Sequence, residues 1–246
     1  MSSFPRDQRI ERLLREGPGA TLLVALPGGV LRMGSEARPD ELPVRDVRVD
    51  PFAVALTPVT NVEYTAFLET TGHEGPPFLN DERFSQPDAP AVGISWFDAV
   101  DYCAWLSGLI GRHCRLPTEA EREYAARGGV EGVRYHWGDE PLDSGPFAFG
   151  ASGTDRPLPV CSTPPNGYGL YHMCENVHEW CSDWYDRLGY PPDQLADPRG
   201  VSDGERRSSR GGSWRHRVKV SRISARSSLA PDRRYNDYGM RVYADE

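Results

Sequence analysis

The chain has 246 residues, enough for one large core or two small ones. Hydrophobic residues make up 38% and aromatics 10%, which excludes an intrinsically disordered chain. The formal net charge of −8 argues against nucleic acid as a partner.

The opening stretch MSSFPRDQRIERLLREG carries charges where a signal peptide needs an apolar run. No segment reaches the roughly 18–20 apolar residues of a membrane span. Five cysteines, an odd number without a tight framework, point to a reducing compartment, so a cytoplasmic protein with no membrane partner is expected. The spacing of Ile10, Leu13 and Leu14 predicts a short amphipathic helix over 6–16, within a helical leader of residues 1–20. A single domain is expected over 21–246.

Two short strands should flank Pro27-Gly28-Gly29, and RDVRVDPFAVAL should form another. Thr60 with Glu63, Ser95 with Asp98 and Thr118 with Glu121 have capping-box spacing, which predicts helices over 61–70, 96–110 and 119–127. In the second, Phe97, Val100, Ala104 and Ser107 follow the helical period and should face the core. From about 130 to 208, Gly and Pro predict loops anchored by Trp137, Trp180 and Trp184. The fold class expected is α+β, one loop-rich domain with little regular structure.

Two stretches carry chemistry. NGYGLYHMCENVHEWCSDWY (166–185) gathers His172, Glu175, His178 and Glu179, residue types that bind metals. Cys174 and Cys181 within it lack zinc-knuckle spacing and read as small buried residues. Residues 206–226 hold Arg206, Arg207, Arg210, Arg215, Arg217, Lys219, Arg222 and Arg226 and no acid. Such a run either pairs with carboxylates elsewhere or meets an anionic ligand or acidic peptide.

Eight stretches in order then resemble the formylglycine-generating enzyme or sulfatase-modifying factor family. They are LPGGVLRMGS, TPVTNVEYTAFL, PAVGISWFDAVDYCAWL, RLPTEAEREYAARGG, HWGDE, PPNGYGLYHMCENVHEW, SRGGSW and YGMRV, spanning about 26–242. The resemblance implies a C-type-lectin-like fold and, in the family's named activity, oxidation of a sulfatase cysteine to formylglycine with copper and oxygen. Relatives make sulfoxides with nonheme iron, mature siderophores or serve as binding modules, so the resemblance alone does not name a reaction.

The chain departs from that pattern. The family's copper site uses two cysteines just after the GGS motif. Here that segment reads RGGSWRHRVKVSRISARSS, and no cysteine follows Cys181. Counting from Ser213 puts His216 at the first cysteine position, and counting back from Arg226 puts Val218 at the second. A copper bis-cysteine site is therefore absent. The iron ligands of the sulfoxide-forming relatives come from a fused helical domain that the short leader is not expected to supply. The resemblance also implies a calcium site built from a side chain at His172, carbonyls at Glu175 and Val177, and the carboxylate of Glu179. Imidazole is a poor calcium ligand. Three outcomes stay open: a lost ion with His172 paired to Glu179, calcium on the remaining oxygens, or a transition metal.

Two functions follow as expectations. One is a metal- and oxygen-dependent oxidoreductase with chemistry other than formylglycine formation. Its catalytic residues would be Ser213, Trp214, His216 and His178, with Arg215, Arg217 and Arg226 binding an anionic ligand. The other is a noncatalytic binding module using the same groove. A Ser213–His216 hydrolase is disfavoured, because no acid lies nearby in sequence to orient the histidine.

Overall fold

The computed structural model describes residues 8–139, 154–217 and 220–246, without the side chains of Arg9 and Ile10. Val218 and Lys219 lie outside the described residues. Helix α1 spans Gln8–Glu16 and buries Leu13. Strands β1 (Leu23–Leu26) and β2 (Gly29–Met33) flank Pro27-Gly28 as expected. The stretch read as one strand is two, β3 (Arg45–Val49) and β4 (Phe52–Ala55), broken at Asp50-Pro51 because each joins a different sheet. Proline lacks the amide a continuous ladder would need.

Helices α2 (Asn61–Thr71), α3 (Trp96–Ile110) and α4 (Glu119–Arg127) start where expected, each with a complete capping box. The buried face of α3 is corrected. Phe97 is 53% and Val100 37% exposed, whereas Ala99, Tyr102, Cys103 and Leu106 face the core. That second stripe has the same helical spacing and larger apolar side chains, so burial favours it.

Strand β5 (Cys114–Arg115) joins β1, β4 and β10 (Tyr243–Asp245) in one antiparallel sheet, and β2 pairs with β3. The third sheet has the order β8-β7-β6-β9. It comprises β6 (His178–Trp184), β7 (Arg207–Arg210), β8 (Arg226–Leu229) and β9 (Tyr238–Gly239). Strand β6 was expected to be loop. Polar residues on both its faces hide the alternation, because both faces are buried. One core packs α2 and α3 against β4, β5, β10 and the Trp180 and Tyr238 side chains of β6 and β9, and the other lies between β2–β3, α4 and the 168–174 loop.

Candidate metal centre

Strand β6 sets the geometry of the site. Its first residue, His178, pairs in parallel register with Tyr238, and the His178 amide donates to the Asp237 carbonyl at 2.8 Å. This puts the His178 ring beside the Asp237 side chain. The third group arrives through the GGS turn. Gly211 has φ +82°, and a Cβ on Gly212 would collide with Ser221 and the Cys174 carbonyl. Only glycines permit this close turn. It delivers a buried Ser213 and Trp214, then His216, whose amide donates to the Ser213 carbonyl at 3.0 Å.

The result is a compact cluster. One nitrogen each from His178 and His216 and one oxygen from Asp237 lie within 4.8 Å of one another, and no other such trio occurs among the described residues. His178 Nε2 lies 3.1 Å from His216 Nδ1. Two adjacent nitrogens on one ion with bonds of about 2.1 Å have a similar separation. Ser213 Oγ donates to Asp237 Oδ2 at 3.0 Å, and Asp237 Oδ1 is buried without a hydrogen bond. Burial pushes His178 down to about 4 and lowers His216, so both imidazoles are neutral near pH 7, as ligation requires. Two histidines and a carboxylate suit a first-row transition ion better than calcium.

Trp214 packs on Phe84 and its Nε1 donates to the Asn236 carbonyl. Arg215 is exposed, with Nη1 3.3 Å from Asn236 Oδ1 and 3.6 Å from Asp237 Oδ1, and Arg217 is also exposed. Ser213, His216 and His178 thus come together with Trp214 and Arg215. Arg226 does not join them and is corrected: it is buried, forked onto Glu119 at 2.7 and 2.8 Å and stacked on Tyr190. Arg210 also binds Glu119, Arg222 binds Glu41, and Arg207 lies between Trp96 and Trp184. The basic run is mostly internal pairing, not one charged groove.

Sequence reading missed Asp237. It stands immediately before the YGMRV stretch and was hidden because 20 residues separate it from His216. Ser213 bonds this acid and not His216, so a serine–histidine nucleophile pair is not formed.

The expected His172–Glu179 pair is also not formed. Glu179 is fully buried and takes Arg122 Nε at 2.7 Å and Arg241 at 3.0–3.2 Å. Burial alone would raise the Glu179 carboxyl, but the two guanidiniums outweigh it and the net direction is down. Arg122 also binds the Met173 carbonyl, and Arg241 binds those of Tyr171 and Ala55. These arginines supply built-in positive charge in the loop, which disfavours a divalent ion on Glu179. His172 Nδ1 instead lies 3.0 Å from Glu175 Oε1, while Glu175 Oε2 lies 3.2 Å from His136. Burial opposes ionisation of Glu175, yet the two histidines hold its carboxyl well below the usual range. Val177 is buried in the Phe84–Trp214 cluster. All five cysteines are free and buried, so the residues present do not fit the family's copper site.

Fold and site together define a loop-rich α+β domain with a two-histidine, one-carboxylate cluster after the GGS turn. Residues 13–246 match the family described as the sulfatase-modifying factor enzyme 1-like domain. The formylglycine-generating enzyme of Streptomyces coelicolor is 34% identical, over 90% of this chain and 88% of that protein. That of Thermomonospora curvata is 33% identical, over 91% and 93%. The solved structure of PvdO from Pseudomonas aeruginosa superposes with a TM-score of 0.78 at 30% identity, covering 91% of this chain and 94% of that one. The chain belongs to the sulfatase-modifying factor family. No described helix is long and apolar enough to cross a membrane.

Proposed function

We propose that this protein is a metal- and oxygen-dependent oxidoreductase whose centre is His178, His216 and Asp237, and that its reaction is not conversion of cysteine to formylglycine. The carrying observation is the convergence of three donor atoms within 4.8 Å at the family's GGS turn. When bound, a transition ion supplies oxygen activation at such a ligand set. Ser213 holds one oxygen of Asp237 and leaves the other for the ion. Trp214 walls the site, and Arg215 and Arg217 bind an anionic substrate or acidic peptide at its mouth. Five free cysteines fit a cytoplasmic setting.

Two measurements test this. Incubation with Cu(I), oxygen and a cysteine-containing sulfatase peptide should leave the peptide mass unchanged. Anaerobic Fe(II) followed by nitric oxide should produce an iron–nitrosyl electron paramagnetic resonance signal that His216→Ala removes. Aldehyde formation, or a signal indifferent to His216→Ala, contradicts the reading.

The direct His178–His216 contact favours a second reading, because it gives His178 Nε2 and His216 Nδ1 a partner in each other without an ion. In that case the protein is a binding module, and His216→Ala weakens ligand binding without any turnover to abolish.

A further inference from the structure

A cavity of about 530 Å³ opens where the end of α4 meets the turn after β2. Its walls include Arg32, Arg127, Arg134 and Arg222, with Ser35 and Ser224 between them. Among the described residues, Glu131 is the single carboxylate on its lining. Three of the four arginines have carboxylate partners just off the lining, Glu41, Glu123 and Asp46, so the positive excess rests on Arg134 and on the sharing of Glu123. None of these residues belongs to the His178 cluster.

The four guanidiniums are held to different degrees. Arg222 is forked onto Glu41 at 2.6 and 2.7 Å, and Ser224 Oγ donates to the same carboxylate. Arg127 Nη2 binds Glu123 at 2.7 Å and the Arg32 carbonyl at 2.9 Å, but its Nε is buried without an acceptor. Arg32 has only an exposed pair with Asp46, which contributes little. The Arg134 guanidinium is exposed, and no ion pair or hydrogen bond holds it among the described residues.

The carboxylates behind the wall do not neutralise it. Glu123 serves Arg127, Arg210 Nη1 at 3.0 Å and the Gly34 amide at 3.0 Å. Glu119 serves both Arg210 and Arg226. Arg45 is 8% exposed, stacks on Tyr190, and has no partner for any guanidinium nitrogen. Arg45 is not on the cavity lining, and it shows only that the carboxylates of this sector are already shared among several arginines.

We propose that this cavity is a binding site for a small molecule bearing a multivalent oxyanion, a phosphate ester or a polycarboxylate. Planar guanidinium forks match both groups. The volume lies within the roughly 300–1,000 Å³ of small-molecule sites. Arg222 and Arg127 are pre-positioned by their carboxylates, and Arg134 is free to close on the ligand. The site is independent of the metal reading and stands or falls without it.

The test is calorimetric titration of the full chain with inorganic phosphate and with citrate, each against sodium chloride at equal ionic strength. Saturable binding with a Kd of about 1 mM or tighter is expected for at least one of them. Arg134→Glu should weaken it about tenfold or more, because a charged hydrogen bond is lost and repulsion added. Arg12→Glu, on α1 and outside the cavity, makes the same charge change and should leave binding intact. Stronger phosphate binding names a phosphate ester, and stronger citrate binding names a polycarboxylate. Heats no larger than those of sodium chloride, or equal effects of the two substitutions, overturn the proposal. Arg134 makes no described side-chain contact, so its replacement should leave the fold unchanged, which circular dichroism verifies.

Discussion

His178 and Glu179 are consecutive residues on β6, and they enter opposite kinds of environment. A strand sends neighbouring side chains to opposite faces. Glu179 goes to a saturated face, where Arg122 and Arg241 take its oxygens and also gather backbone carbonyls. His178 goes to an unsaturated one, where its Nε2 meets only the His216 ring and Asp237 Oδ1 is buried without a hydrogen bond. The first arrangement is complete and structural. The second leaves donors unspent, which is what a site for an added ion requires.

The largest effect should come from breaking the saturated face. Glu179→Gln leaves two buried guanidiniums uncompensated, and loss of one partner of a buried pair costs about 3–5 kcal/mol. His216→Ala, at the half-buried edge of the other face, should cost about 1 kcal/mol. Urea unfolding midpoints of the two variants check the contrast. Equal losses would mean that the two faces are not different in kind.

Next is Ser213→Ala. The hydroxyl holds one Asp237 oxygen, so its removal should loosen the carboxylate and weaken transition-metal affinity by about 10–100-fold, as loss of a supporting contact does. Competition with a coloured chelator measures this, and unchanged affinity would separate Ser213 from the centre.

A pH-dependent effect sharpens the contrast along the same strand. Burial, with Glu119 adding to it, raises Asp183 from an ordinary 3.8 to about 7. The folded state therefore keeps a proton that the unfolded state has released. Between about 3.8 and about 7 the folded chain binds more protons, so this contribution to stability declines as pH rises. Asp183→Asn should lack that decline. The difference between wild type and variant across this window isolates the effect, and parallel pH profiles would refute it.

The smallest change is expected at Arg215. It is exposed, reaches Asn236 and Asp237 at long range and lies 5.8 Å from the Trp214 ring centre, so Arg215→Ala should alter stability by about 0.5 kcal/mol or less. Its cost should fall on anionic ligand binding, by about tenfold and more at low salt. A large loss of stability would make Arg215 part of the scaffold.

Much of this was legible in the sequence. The capping boxes located α2, α3 and α4, because a helix start is decided by a few adjacent residues. The absent copper cysteines and the gathering of Ser213, His216 and His178 were also visible from motif order. The acid that completes the cluster was not, since it reaches the site only through the parallel β6–β9 pairing. For the same reason Arg226 read as a groove residue, when its charge is spent on Glu119 from α4. Local chemistry shows in local sequence, whereas partners for buried charges come from distant segments.

The central claim is tested most directly by metal analysis of protein purified without tag or chelator, with copper, iron, zinc and calcium measured together. The account predicts a first-row transition ion near one equivalent per chain, lost in Asp237→Asn and retained in Glu175→Gln. Metal-free protein that also fails to take up iron or zinc on titration, or an ion that survives Asp237→Asn, would contradict it.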